Sequence, residues 1–473
     1  EVNNGSATTG VATLRFPGAD IRAISNAIVK VIGQGASIRD FLGNNALRNL
    51  NSIQGATFSS SGIQTYTPPG GTFANSGSTH IIESGSIITV QGNLTVSKTG
   101  LTLVSGPTDS SNTALIVQGN MLIDGSVMDL GGQPGVNTQY HSQLQVMNGI
   151  QFRGGYLTGT GTTFADIGMI QGSVFSPGHS AGQLTIEGAV NFDPTTTLMF
   201  QIGGLTAGAQ YDQLVHAGTS ACSLGGTLDL SLIDGFANSI LHSDTFDIVT
   251  SDNLLTGAFQ NVTSGGRLAT SDELGSFKVT YANQKAVTLS DYQAVPTLVG
   301  VVARETHGGQ GTFDLPLNLS GDPTVESRGF NTHHLVFTFN NDVVSGDVSV
   351  SAPAGGGVSG SPTFAGNTMS VTLTGVANAQ KLTIFVSGLT DQYAQVLPDT
   401  SLDMYVLLGD INGDRSVNSA DATITRNRSG EATTAANFRA DVNLDGTINS
   451  ADATVVRNNS GSGLPAGTDA RTR

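Results

Sequence analysis

The sequence predicts a mainly β protein: a parallel β-helix, then a β-sandwich, then a small helical module at the C-terminal end. Three observations carry that reading. First, 62 of the 473 residues are glycine, only 12% are charged and none is tryptophan. A chain rich in Gly, Thr, Val and Ile and poor in charge favours strands joined by tight turns over solvated helices. Second, short apolar runs recur at close intervals from about residue 55 to 290, and beyond Pro296 longer runs alternate apolar and polar residues. Third, the segment 410–430 recurs at 441–461.

Residues 1–292 are read as the β-helix. The runs "THIIES", "SIITVQG", "NLTVSKT", "LTLVSG", "ALIVQG", "MLIDGS", "LQVMNG" and "IQFRGG" are each punctuated by Gly, Asn, Ser or Asp. Such short strands fit a sandwich, a barrel or a β-helix, and their monotony and the lack of long loops favour the last. About twelve coils of roughly 20 residues, stacked ~4.8 Å apart, would bury one inward stripe of Val, Ile, Leu and Phe. Within 19–53, Ile21, Ile24, Ile28 and Ile32 follow helical spacing, as do Leu47, Leu50 and Ile53. Gly33, Gly35, Gly43 and Asn44-Asn45 interrupt them, and each glycine costs a helix about 1 kcal/mol. This stretch is read as the first coils, with a helical cap as the alternative.

Residues 297–402 hold "LVGVVARETH", "HHLVFTFNN", "GDVSVSAP", "TMSVTLTGV" and "KLTIFVSGL". Period-two alternation fits half-buried antiparallel strands, and some seven strands in about 105 residues fit an immunoglobulin-like sandwich.

The C-terminal repeat carries the chemistry. Each copy reads D-x-N-x-D-x-[ST]-x-N-x-x-D, which places oxygen donors at positions 1, 3, 5, 7, 9 and 12 of a loop. Ca²⁺ is a hard cation that takes six to eight oxygens, and this spacing wraps them around one point. The predicted ligands of one ion are Asp410, Asn412, Asp414, the Ser416 carbonyl, Asn418 and Asp421. Those of a second are Asp441, Asn443, Asp445, the Thr447 carbonyl, Asn449 and Asp452. A helix should follow each loop, from Ser419 to about Arg428 and from Ser450 to about Asn458. Position 6 of such a loop favours glycine. Gly446 meets that demand and Arg415 does not, so the first site is predicted to be the weaker.

A duplicated loop–helix with no entering helix and with Asp at position 12 resembles a type I dockerin over 409–461. The resemblance implies a dockerin-like calcium module at 403–461; the tail at 462–473 is read as loose or as an attachment strand. The resemblance also implies that positions 10 and 11, Ser419-Ala420 and Ser450-Ala451, contact a cohesin partner in two symmetry-related modes. Upstream, "ALRNLNSIQGATF", "GSVFSPGHSAGQLTIEG" and "DTFDIVTSDNLLTGAF" resemble passenger regions of autotransporter-type adhesins. That implies a β-helix displayed on a bacterial cell surface.

The pentapeptide Gly178-His179-Ser180-Ala181-Gly182 matches the G-x-S-x-G nucleophile elbow, and "THGGQG" at 306–311 looks like an oxyanion loop. An elbow needs a strand before the serine and a helix after it, whereas "QLTIEGAVNF" after Gly182 reads as strand. Hydrolysis through Ser180 is therefore not expected, nor is the chain expected to be an enzyme. Asp212 is read as satisfying turn amides. His333-His334 could be half a metal site. Glu83, Asp129 and Asp166 are scattered acids with no basic cluster beside them.

A net charge of −16 argues against nucleic acid. The single cysteine, Cys222, allows no internal disulfide, and no apolar run is long enough to span a bilayer. A chain starting at Glu1 looks like a processed, exported one. The leading expectation is a secreted or surface structural protein, an adhesin or filament subunit that self-associates into a fibre or sheath. The alternative is a carbohydrate-active or cohesin-docked component with a polysaccharide or cohesin-like partner.

Overall fold

The computed structural model describes residues 2–3, 13–15, 18, 20–32, 36–83, 85–98, 100–103, 113–131 and 142–464. The chain divides into two compact units, Glu1–Ala294 and Val295–Arg473. Among the described residues no helix is long and apolar enough to cross a membrane.

The first unit is a parallel β-helix with three faces. Two faces are ten-stranded parallel sheets, ending at Thr227–Leu232 and Leu255–Gly257, and the third has eleven strands. Most strands are three to six residues long and bury every second side chain. In-register stacking makes continuous ladders. One runs Phe73, Leu94, Met121, Ile150, Ile167, Val190, Cys222 and Leu255, each on the next coil. All eight are buried. Cys222 is thus a core residue, and burial pushes its thiol up to about 12. Among the described residues two faces hold ten strands each, and the spacing between paired strands exceeds the 20 residues foreseen in places: Gly100, Val127 and Tyr156 start strands that pair in succession.

Among the described residues of 20–54 the chain forms strands Ala23–Ser25, Ile28–Ile32, Ser37–Arg39 and Ser52–Gln54 and no helix. Leu47, Leu50 and Ile53 are buried while Ile28 points outward. Gly33 and Gly35 lie outside the described residues.

The C-terminal end of this unit departs from a purely parallel helix over 1–292. Phe246–Ser251 pairs antiparallel with Ala286–Ala294, which pairs with Gly275–Ala282 and then Arg267–Ala269. Phe246, Phe277 and Tyr292 pack together, with ring centroids 5.7 and 5.0 Å apart. The last edge of strand Thr227–Leu232 is also covered. The Asn261 side chain takes both the N–H and C=O of Leu228, Ser271 N–H donates to Leu230 O, and Asp272 accepts from Leu232 N–H. An unpaired edge invites association; here Asn261, Ser271 and Asp272 take outward-facing groups of that strand.

The second unit opens with a β-sandwich. One sheet orders Thr312–Leu317, Leu298–Thr306, Thr332–Phe339, Thr368–Thr374 and Gly357–Ala365; the other orders Thr324–Glu326, Thr400–Val406, Gln380–Asp391 and Val343–Ser351. Val301, Leu335, Phe337, Met369, Leu382, Ile384 and Leu402 fill the space between them. The last strand runs to Val406, past the expected boundary at 402. Helices α1 (Ser419–Asn427) and α2 (Ser450–Asn458) follow. Their core is Leu407, Leu408, Ile411, Val417, Ala440, Val442, Ile448 and Val456, completed by Val325 and Tyr405 of the sandwich. The small module and the sandwich therefore share apolar packing. Ser462–Leu464, expected to be loose, are held: Ser462 O accepts from Val417 N–H, Leu464 N–H donates to Arg415 O, and Leu464 packs on the module core. The rest of the expected tail, 465–473, lies outside the described residues.

Candidate metal centre

Each loop leads straight into its helix, and one carboxylate serves both. Asn418 and Asn449 are N-caps, and Asp421 and Asp452 stand at N3 of a capping box. Those same aspartates, at position 12, reach back over their loops. Asp421 accepts from Ile411, Asn412 and Asn418 N–H at 2.9, 3.2 and 3.0 Å. Asp452 accepts from Asn443 and Asn449 N–H at 3.2 and 2.9 Å. The position-7 carbonyls of Ser416 and Thr447 lie 3.3 and 3.0 Å from the Asn418 and Asn449 side chains, so positions 7 and 9 are adjacent in both copies. Asn412 and Asn443 bond Asp414 and Asp445 across positions 3 and 5.

The expected strain difference between the loops is not what forms. Arg415 has φ +73°, as position 6 demands, but Leu444 at position 4 of the second loop has φ +64°. Glycine occupies the other left-handed position of each, Gly413 with φ +76° and Gly446 with φ +91°. Each loop thus carries one strained non-glycine residue, at about 1–2 kcal/mol. The Arg415 side chain is further held by Asp322 at 2.9 Å and over the Tyr405 ring.

The loops differ instead in their first aspartate. Asp410 turns both oxygens onto its own loop: Oδ1 accepts from Gly413 and Asp414 N–H, and Oδ2 from Arg415 N–H. Burial, with Asp421 and Asp414 adding to it, pushes its carboxyl up. Asp441 concentrates its bonds on Oδ2, which accepts from Gly446 N–H, Thr433 Oγ1 and His307 Nδ1 at 2.8, 2.7 and 2.8 Å. Burial opposes its ionisation, but these donors outweigh burial and hold the carboxyl below the usual range. Its Oδ1 is buried with no hydrogen-bond partner. Among the described residues, Asp441, Asp445 and Asp452 are the one group of three acids or other metal-binding side chains whose ligand atoms lie within 4.8 Å of one another. Burial, then Asp441 and Asp445, push Asp452 up. Carboxylates that disfavour their own ionisation when gathered are what a divalent cation would relieve.

Sequence reasoning gave no sign of the His307–Asp441 contact, since "THGGQG" reads there as an oxyanion loop. The segment is instead a hairpin turn seated on the second calcium loop, and Gly308 N–H donates to Leu444 O at 2.9 Å.

The remaining expectations lie elsewhere. Ser180 is exposed, between strands Val174–Pro177 and Gln183–Ile186, and no helix follows it. The two glycines of the pentapeptide face each other, since a Cβ on Gly182 would come 2.4 Å from Gly178 Cα. Beneath them Asp212 accepts from Gly182 and Gln201 N–H, both at 2.8 Å, as the turn reading foresaw. Asp129 pairs with His179 at 2.8 Å, Asp166 takes the Ala189 amide, and Glu83 follows strand Thr79–Ile82; the three do not cluster. His333 and His334 point to opposite faces of their strand, His333 fully buried and His334 exposed, which does not make half a metal site.

Residues 408–459 match the family model of the dockerin type I domain. Dockerin domains bind calcium, and this one is followed in the structure as two loop–helix repeats. No curated protein and no solved structure matches the chain. The resemblance to autotransporter passengers draws no support from these comparisons.

Proposed function

We propose that this protein is an exported β-helical component that attaches to a cohesin-bearing partner through a calcium-loaded dockerin module. The observation that carries the reading is the contrast within each repeat. The acids at positions 1 and 12 are fully buried, while Ser419-Ala420 and Ser450-Ala451, in the first turns of α1 and α2, are exposed. A cation held by the loop would fix the helix start, and the helix start would present the docking pair. Each loop is proposed to hold one ion, through the twelve residues named from the sequence. The β-helix is read as the displayed, structural part rather than as a catalyst. Its self-association into a fibre is the less favoured reading, because the outer edge of Thr227–Leu232, one of the strands that end the β-helix, is largely taken by Asn261, Ser271 and Asp272.

The test is binding of the full chain to immobilised type I cohesins, in calcium and in EDTA. Calcium-dependent binding is expected, reduced by charge at either pair (Ser419→Asp with Ala420→Lys, or Ser450→Asp with Ala451→Lys) and abolished by both. Binding unaffected by the double replacement would refute the docking face. Absence of calcium-dependent binding to every cohesin tried would refute the function.

A further inference from the structure

The first aspartate of the second loop is held by a residue 134 positions earlier in the chain. His307 lies in the sandwich, yet its ring and the Asp441 carboxylate are both fully buried and 2.8 Å apart. The imidazole is itself oriented. Arg328 Nη1 lies 3.3 Å from His307 Nε2, and a guanidinium can only donate. Nε2 therefore accepts, and Nδ1 carries the hydrogen that Asp441 Oδ2 receives. Arg328 is fixed in turn by a two-pronged pair with Glu326 at 2.9 and 2.8 Å, by the carbonyls of Phe313 and Ala303, and by the Phe438 ring 4.8 Å away.

We propose that His307 is a positioning residue for the second calcium loop, so that calcium affinity there belongs to sandwich and module together. This rests on the calcium reading above. With Oδ2 occupied by His307, Thr433 and Gly446, the oxygen left to Asp441 is the buried, unpartnered Oδ1, and an Asp441 oxygen lies within the 4.8 Å group shared with Asp445 and Asp452. The backbone joins in the same contact. A Cβ on Gly308 would come 2.2 Å from Asp445 O, and one on Gly446 would come 2.8 Å from His307 O. Turn and loop approach too closely for either side chain. The carboxylate oxygens of Asp410 bond only its own loop, and Arg439 reaches that loop at the backbone carbonyls of Asp410 and Ile411 rather than at the carboxylate. Groups that orient a metal ligand from behind are commonly worth 10–100-fold in affinity.

The test uses the full chain carrying Asp414→Ala, which weakens the first loop, titrated with calcium by isothermal calorimetry. His307→Ala should weaken the remaining site by about 10–100-fold. His307→Asn, which keeps an N–H near the place of Nδ1, should recover most of the loss. Unchanged affinity in His307→Ala, or an equal loss in both variants, would overturn the proposal. Should His307→Ala not fold, hydrogen exchange on the unmutated chain decides: calcium should slow exchange at Gly308 and Gln310, and no change there would overturn it. A chain that takes up no calcium at all would instead remove the calcium reading, a separately visible result.

Discussion

Replacing Asp441 with alanine in the presence of EDTA should destabilise the module severely, whereas replacing Asp445 should not. Asp441 Oδ2 is the acceptor for three donors: His307 Nδ1, Thr433 Oγ1 and Gly446 N–H. His307 and Thr433 are 0% and 3% exposed, so water does not replace the lost acceptor. A buried donor left unpaired costs about 1–3 kcal/mol, which for three sums to about 3–9 kcal/mol. The three share one acceptor and are not additive, and breaking one side of a buried charged network typically costs about 3–5 kcal/mol, the value we expect. Asp445 is exposed, and its bonds to Thr447 N–H and Asn443 can be replaced by water. Its loss in EDTA should stay within about 0.5 kcal/mol. In saturating calcium the Asp445 replacement becomes costly too, because both variants then remove a ligand. If Asp445→Ala abolishes the site, it forfeits the binding linkage, about 4 kcal/mol at a calcium concentration 1,000 times Kd. The chain has more than one unit, so a single global unfolding free energy is ill-defined, and amide exchange at Val442 and Ile448 is the better assay. Equal effects of the two variants in EDTA, or an Asp445→Ala effect insensitive to calcium, would refute the division of roles.

A 403–473 fragment lacks Val325, Arg328 and His307; far-UV circular dichroism should show it unfolded in EDTA, and its calcium affinity should fall below that of the full chain. A fragment fully folded in EDTA would contradict the shared core. His80, buried between Phe58 and Phe73, is pushed by burial from its ordinary 6.5 down to about 3. The native state keeps it neutral while the unfolded chain takes up a proton, so its stabilisation is present above pH 6.5 and is lost as pH falls toward 3. At pH 5 the loss is about 2 kcal/mol; chemical denaturation of the first unit at pH 7 and 5 should show it, and His80→Gln should remove that part of the slope. Ser180→Ala should leave folding unchanged, and fluorophosphonate probes should not label the unmutated chain; stoichiometric labelling of Ser180 would overturn the turn assignment.

What the sequence determined by itself is what contiguous residues encode. The β-helix is legible because each coil repeats the demand for an inward apolar stripe, and stacking in register turns that demand into ladders such as Phe73 to Leu255. The two loops are legible because their oxygen-bearing side chains recur within twelve consecutive residues, and Asn418–Asp421 and Asn449–Asp452 start the helices from within the same motif. The tertiary structure alone decided the rest. Single glycines suggested unequal strain, but Leu444 and Arg415 take opposite positions in the two loops, a trade visible only in backbone angles. The antiparallel closure over 246–294 reverses the direction of pairing at the end of one face, and no periodicity reports that. His307 gave no signal as a partner of Asp441, because a buried pair 134 residues apart depends on two surfaces meeting, and the chain between them carries no trace of that meeting in its local pattern.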